Sequence, residues 1–225
     1  MTAVSRTAFV APGRIPGWLD RFAAGHGPVQ LEETDDGVRL TAADGAGALL
    51  QAPWPVDGRP GRGTTPIERL LALAGQSRTI AVVLLRRGGY AVGLCRDGQV
   101  LVSKIGTRYV QSRTAAGGWS QQRFARRRTN QADALVEAVA EHAARVLTPG
   151  APGGGPSGTA EYLVLGGDKA LCQSLLVEPV FGPLAVLPRL AFLDVPDPKS
   201  AVLKQAAADL HAVRIRVSDP PGSAV

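Results

Sequence analysis

A short stretch led by two glycines carries the residue types in this chain that could do chemistry. Gly117 and Gly118 are followed closely by two amides, Gln121 and Gln122. Paired glycines adopt backbone conformations that are barred to other residues, so the chain can enter a narrow space there. Glutamine donates and accepts hydrogen bonds but is not a strong base at neutral pH. The chemistry open to these amides is therefore hydrogen bonding rather than proton abstraction.

Cationic side chains surround these glycines. Between Gly98 and Ala132 there is no Asp or Glu, but there are seven basic residues: Lys104, Arg108, Arg113, Arg123, Arg126, Arg127 and Arg128. Removing these seven from the 25 Lys and Arg of the chain leaves 18 against 19 acidic residues, so the formal net charge of +6 lies in this segment. A basic excess confined to one loop and the helix after it is typical of a surface that binds a polyanion. A solvated cationic face is the alternative.

The sequence offers no other arrangement for hydrolysis. The three histidines, His26, His142 and His211, are far apart and have no ligand-like neighbours, so neither a metal site nor a Ser-His-Asp arrangement is expected. Cys95 and Cys172 both lie in apolar surroundings and are interpreted as reduced core residues. We expect no metal and no cofactor.

The elements on either side of the glycines can be predicted from periodicity. Apolar residues on one helical face predict a long helix over 120–147, with the face formed by Phe124, Leu135, Val139, Ala143 and Val146. Three strands over 80–85, 90–96 and 99–105 are joined by turns so short that they must form an antiparallel meander. A long basic loop over 107–119 then leaves the sheet, and a loop of that length favours a functional role.

The remaining elements complete an α/β pattern. An N-terminal hairpin is expected over 29–33 and 38–41, with a third strand over 49–53. A short helix follows, which Thr65 caps, and Glu68 completes the capping box. After a linker over 149–158 we expect a strand over 161–166, a helix over 170–176 capped by Asp168, a strand over 185–195, a helix over 198–211 and a strand over 213–217. This order predicts a small β-rich subdomain over 1–76, a larger α/β domain over 77–218, and a tail over 219–225.

The helix start resembles a known family. Arg123-Phe124-Ala125-Arg126-Arg127-Arg128, with Val136 and Val139-Ala140-Glu141, is similar to the helix that follows the Gly-Gly-Gln loop of eukaryotic and archaeal class I peptide-release factors. The ungapped match places Trp119 on the catalytic glutamine of that triplet. The related Vms-like release factors, stand-alone peptidyl-tRNA hydrolases with actinobacterial members, are a better fit because their loop varies. The resemblance assigns the catalytic role to Gln121 first and Gln122 second.

The resemblance implies a ribonuclease-H-like catalytic domain with a mixed sheet. It implies hydrolysis of the ester between nascent peptide and tRNA on stalled ribosomes or large subunits, without codon reading. Arg108, Arg113 and the four arginines 123, 126, 127 and 128 would bind rRNA and tRNA phosphates. The alternatives are an RNA-binding factor without hydrolysis and a nuclease that cuts the tRNA acceptor end. No run of 18 apolar residues or signal peptide is present, so a cytoplasmic monomer that does not bind membranes is expected.

Overall fold

The computed structural model describes residues 5–107, 120–147 and 159–220, and these have an α/β architecture. The elements in chain order are β1 (Ser5–Val10), α1 (Ile15–His26), β2 (Val29–Thr34), β3 (Gly37–Ala42), β4 (Gly47–Gln51), α2 (Pro66–Ala74), β5 (Thr79–Arg86), β6 (Gly89–Arg96), β7 (Gln99–Thr107), α3 (Ser120–Leu147), β8 (Tyr162–Gly167), α4 (Lys169–Leu176), α5 (Gly182–Ala185), α6 (Ser200–Leu210) and β9 (Val213–Ser218). They fall into two compact units, one from the described parts of Met1–Ser77 and Ala208–Val225, the other from those of Arg78–Ala207.

The first unit is built on a five-stranded antiparallel sheet with the order β1-β9-β4-β3-β2. One face of this sheet is buried against α1 and α2, where Ile15 and Phe22 meet the strand residues Leu40, Leu50 and Ile215. The hairpin of β2 and β3 confirms the prediction from sequence. Neither β1 nor α1 was predicted, because Pro16 and Gly17 lie in the first turn of α1 and interrupt its helical pattern.

The final strand departs from the predicted organisation. We expected residues 213–217 to belong to the domain over 77–218, but β9 lies between β1 and β4. Ile215 is directly opposite Ala8 on one neighbour and Leu50 on the other. The pairing joins residues far apart in sequence, and its benefit is the burial of Val213 and Ile215 in the core of the first unit.

The start of α2 follows its sequence signature. Thr65 Oγ1 accepts a hydrogen bond from the backbone N–H of Glu68 (3.2 Å), and Glu68 Oε2 accepts one from the N–H of Thr65 (3.1 Å). These two bonds make the predicted capping box, with Pro66 at the first helical position. The helix therefore begins at Pro66, and Leu70 and Ala74 join the core.

The second unit contains a four-stranded sheet with the order β7-β6-β5-β8. β5, β6 and β7 form the predicted antiparallel meander, and β8 pairs with β5 in parallel. β5 is buried along nearly its whole length, as its continuous apolar sequence indicates. The core against this sheet comes from α3, α4 and the short turn Pro179–Phe181.

The prediction of one continuous strand over 185–195 is wrong. Its first residue ends α5, and the segment touches β8 through two isolated parallel bridges, Leu163 with Arg189 and Gly166 with Leu193. Pro188 has no N–H to donate to a ladder, although its carbonyl accepts a hydrogen bond from Leu163 N at 2.9 Å. The linker predicted over 149–158 lies outside the described residues.

Candidate functional site

The glutamines of the predicted site lie at the beginning of α3. This helix begins at Ser120, so the backbones of Gln121 and Gln122 belong to its first turn. The first four N–H groups of a helix have no partner within it, and they form the positive end of the helix dipole. Gln121 and Gln122 therefore lie at the end of the helix that favours a negative charge nearby.

The remaining predicted site residues divide into two groups. Gly117, Gly118, Arg108 and Arg113 lie outside the described residues. Arg123, Arg126, Arg127 and Arg128 lie on α3, where the structure describes their backbone alone, as it does for Gln121 and Gln122. Helical backbone brings both glutamines and all four arginines into the first nine residues of one element, as predicted.

The second half of α3 anchors this element to the sheet. Leu135, Val136, Val139 and Ala143 are fully or almost fully buried, and Val146 is 7% exposed. Glu137 and Glu141 lie on the exposed side. From Ser120 to Leu135 a straight α-helix rises by about 22 Å at 1.5 Å per residue. The amides at the start of the helix are therefore a long way along the axis from the buried residues that fix its direction.

A three-residue cluster fixes the end of β7, where the chain leaves the sheet towards the glycines. Tyr90 on β6 is directly opposite Gly106 on β7. A Cβ atom at Gly106 would lie 2.5 Å from the Tyr90 ring, so that ring requires glycine there. His142 of α3 stacks on the same ring, with centroids 5.4 Å apart and planes 20° apart. We call Tyr90, Gly106 and His142 the hinge cluster, because it joins the strand before the loop to the helix after it.

The hinge cluster was not predicted from the sequence, although one signal for it was present. Glycine inside a strand often marks a close approach of another group, and Gly106 is such a residue. The sequence predicted no metal site or Ser-His-Asp arrangement at His142, and the structure shows this ring in a packing contact with Tyr90.

The electrostatics near the hinge cluster are also cationic. Burial lowers the pKa of His142, the positive charges of Arg145 and Lys104 lower it further, and Glu141 opposes them. The imidazole is therefore neutral at pH 7. In this neutral form it can stack on Tyr90 without a neighbouring negative charge. Lys104 is exposed on β7, two residues before Gly106.

The other sequence candidates have structural explanations. Asp168 accepts hydrogen bonds from the N–H groups of Ala170 (2.9 Å) and Leu171 (3.2 Å), so the turn before α4 is capped by its own side chain, as predicted. Cys95 and Cys172 are free and buried, and burial raises their pKa values to about 12 and about 11. Both thiols are therefore protonated at neutral pH.

The described residues contain no group of three or more His, Cys, Asp or Glu side chains that could hold a metal ion. In the same residues no helix combines the length and the hydropathy needed to cross a membrane.

A model of a known protein family matches a large part of this chain. The family model described as Actinobacteria/chloroflexi VLRF1 release factor matches residues 78–216, which is more than half of the chain. No curated protein matches the sequence of this chain. The matched residues run from the strand β5, through the glycines and α3, into β9. The resemblance to Vms-like release factors is thereby confirmed, and the chain belongs to the Actinobacteria/chloroflexi VLRF1 release factor family, whose role lies in translation at the ribosome.

Proposed function

We propose that this protein is a peptidyl-tRNA hydrolase that frees nascent peptides from tRNA on stalled ribosomes or large subunits. One observation carries the proposal. Within the matched release-factor region, two glycines and Trp119 are followed by a helix start whose first turn contains Gln121 and Gln122. The same region holds the basic excess of the chain. The role is ribosome rescue and quality control in the cytoplasm, without codon reading and without a metal or cofactor.

The reaction is hydrolysis of an ester inside the peptidyl-transferase centre. Water attacks the carbonyl carbon that joins the peptide to the tRNA, the bond to the ribose oxygen breaks, and that oxygen takes up a proton. A glutamine amide, Gln121 first and Gln122 second, orients the water by hydrogen bonding and stabilises the developing oxyanion. The N–H groups of the first turn of α3, which have no partner within the helix, favour the same negative charge.

The arginines serve to place this helix start against RNA. Arg123, Arg126 and Arg127 are spaced by three and four residues, so an α-helix sets them along one stripe. Such a stripe suits the phosphates of rRNA and peptidyl-tRNA, with Arg108, Arg113 and Arg128 adding further contacts. Their contribution to binding depends on salt, because each phosphate contact releases counterions. The contribution of the glutamine to hydrolysis does not depend on salt in this way.

The proposed catalytic domain has a ribonuclease-H-like fold, as in the middle domain of the release factors that it resembles. Three features support this proposal: the antiparallel meander, the helix that follows it, and the parallel strand β8 beside β5. The bridges of Arg189 and Leu193 to β8 continue the same sheet by one more position. We further propose that the protein acts as a monomer.

A release assay on purified large subunits that carry peptidyl-tRNA tests the proposal. Gln121→Ala and Gln122→Ala are compared with wild type and with Gln173→Ala, a matched control at an exposed position of α4. We expect one site variant to lose about 10²-fold to 10³-fold in release rate, the effect of removing an oxyanion donor, while subunit binding is retained and the tRNA stays intact. Unchanged release in both site variants contradicts the glutamine mechanism and leaves an RNA-binding factor. A shortened tRNA on the gel indicates a nuclease.

A further inference from the structure

The solvent side of the five-stranded sheet carries a defined set of side chains. Residues directly opposite in an antiparallel ladder project to the same face. On β9, Arg214 and Arg216 alternate with the buried Val213 and Ile215, so the arginines project away from the core.

The register extends this face onto the neighbouring strands. Phe9 of β1 is opposite Arg214, and Thr7 is opposite Arg216. On the other neighbour, β4, Gln51 and Leu49 are opposite the same two arginines, and Arg39 of β3 is opposite Leu49. We call this set the outer face: Thr7, Phe9, Arg39, Leu49, Gln51, Arg214 and Arg216.

The outer face is open to solvent and contains an aromatic ring. Phe9, near the end of the edge strand β1, is 50% exposed, and Thr7, Arg39, Arg214 and Arg216 are also exposed. An isolated exposed apolar residue needs no explanation. A phenylalanine directly opposite one arginine and diagonal to another is a combination that suits a ligand with both a ring and a negative charge.

Two of the three arginines on this face, Arg214 and Arg216, can bind such a ligand without leaving an acidic partner among the described residues, whereas Arg39 is directly opposite Glu32. Among the described residues no carboxylate lies within 4.0 Å of the guanidinium of Arg214 or Arg216. Other arginines of the same unit are paired: Arg6 lies 2.7 Å from Asp219, and Arg69 is bonded to Glu33. Arg39 has a distant partner, Glu32, at 3.9 Å.

We propose that the outer face binds single-stranded RNA. Arg214 and Arg216 lie about 7 Å apart along β9, and each guanidinium can bind a phosphate through two hydrogen bonds. The Phe9 ring offers a platform on which an unpaired base can stack, as aromatic residues on sheet surfaces do in RNA-binding domains. A duplex keeps its base faces stacked and would leave this ring without a partner. The inference concerns the first unit and does not depend on the proposed hydrolysis.

Binding of a labelled ten-nucleotide single-stranded RNA to the full chain, measured by fluorescence anisotropy across a salt series, tests the inference. The variants are Arg214→Gln with Arg216→Gln, and Phe9→Thr, which keeps a β-branched residue in the strand. Lys199→Gln with Lys204→Gln is the matched control, since it removes the same charge from exposed positions at and beside α6.

We expect the arginine pair to weaken binding about tenfold and to reduce the slope of log K against log salt by about 1.4, at 0.7 per phosphate contact. Phe9→Thr should weaken binding about fivefold with an unchanged slope, because stacking releases no counterion. Ultraviolet cross-linking should join RNA to the peptide that contains Phe9. Gln173→Ala, the exposed control of the release assay, should bind the same RNA normally.

Three results would overturn the inference. The first is a loss in the lysine control as large as in the arginine pair, which would indicate unspecific charge. The second is wild-type affinity in both outer-face variants. The third is displacement of the RNA by polyglutamate with equal potency in wild type and Phe9→Thr, which would assign the face to an acidic protein. Thermal unfolding checks that the variants fold. If the double variant Arg214→Gln with Arg216→Gln does not fold, Arg214→Lys with Arg216→Lys replaces it. The lysine pair should keep the slope but bind more weakly, because it lacks the planar fork.

Discussion

The ring of Tyr90 fills the space that any side chain at Gly106 would need. A Cβ at position 106 would lie 2.5 Å from Cε1, Cζ and Oη of that ring, and the two residues are directly opposite in the ladder. His142 of α3 stacks on the same ring. The end of β7, from which the chain leaves for the glycines, and the helix to which it returns are therefore packed on one side chain.

Replacing Gly106 by alanine should destabilise the protein. The added methyl group must displace either the Tyr90 ring or the β7 backbone, and overpacking of this kind costs about 1 to 3 kcal/mol. Urea denaturation measures the loss against Gly88→Ala, a control with no atom within 4 Å of the new Cβ. Tyr90→Leu in the Gly106→Ala background should cost less than the sum of the single changes, because the clash is then relieved. Equal stability of Gly106→Ala and Gly88→Ala would contradict the packing argument.

The lowered pKa of His142 should make stability fall in mild acid. The unfolded imidazole takes up its proton near pH 6.5. The folded one does so at lower pH, because it is partly buried beside Tyr90 and lies near the positive charges of Lys104 and Arg145. Between these two pKa values the unfolded state binds more protons, so the free energy of unfolding decreases as pH falls through this window and is unaffected above it.

Urea midpoints at several pH values check this expectation. His142→Phe keeps a ring on Tyr90 and should weaken the dependence below pH 6.5. Lys104→Gln should raise the pKa of His142, since it removes one of the charges that lower it. An NMR titration of the His142 ring measures that pKa directly. A value at or above 6.5 in the wild-type protein would be incompatible with the observed packing.

Capping by Asp168 should account for the stability of the turn before α4. Its carboxylate accepts from two backbone N–H groups, so Asp168→Ala should cost about 1 kcal/mol. Asp168→Asn keeps an acceptor and should cost only a few tenths, since the pairing with Arg87 at 3.7 Å is an exposed one. Denaturation curves compare the two variants. Similar losses in both would show that the charge, rather than the cap, is what matters.

Local signals predicted much of this structure. The bounds of α3 were predicted at Ser120 and Leu147, because its apolar face repeats every three or four residues and breakers flank it. The turn Asp97-Gly98 closed the hairpin of β6 and β7, and both residues have positive φ, as a tight hairpin turn requires. Predictions succeeded where residues close in sequence determine the conformation.

Predictions failed where the reason for a conformation lies far away in sequence. The partners of β9 are more than 160 residues away, and nothing in its own sequence chooses between the two units. The segment over 185–195 has the composition of a strand, but it forms only isolated bridges, and Pro188 has no N–H to donate to a ladder. For the candidate site, the sequence predicted the helix start and its charge, whereas the Tyr90 and His142 contacts required the fold.

Arg78, at the start of the second unit, should be the most costly of these residues to replace. Its side chain is completely buried, its Nη1 donates to Tyr162 Oη at 3.0 Å, and it lies 3.6 Å from Glu161 Oε2. Arg78→Met has a similar volume but leaves the tyrosine hydroxyl and the carboxylate without this cation, at a cost of about 3 kcal/mol.

Two comparisons make the Arg78 prediction specific. Arg39→Met removes an arginine whose pairing with Glu32 at 3.9 Å is exposed, and it should change the free energy of unfolding by no more than about 0.5 kcal/mol. Arg78→Lys should lie between the two, because it keeps the charge but loses the guanidinium group whose Nη1 reaches both partners. Urea denaturation measures all three. A loss in Arg78→Met no larger than in Arg39→Met would mean that the buried contacts of Arg78 only balance the cost of removing its charge from water.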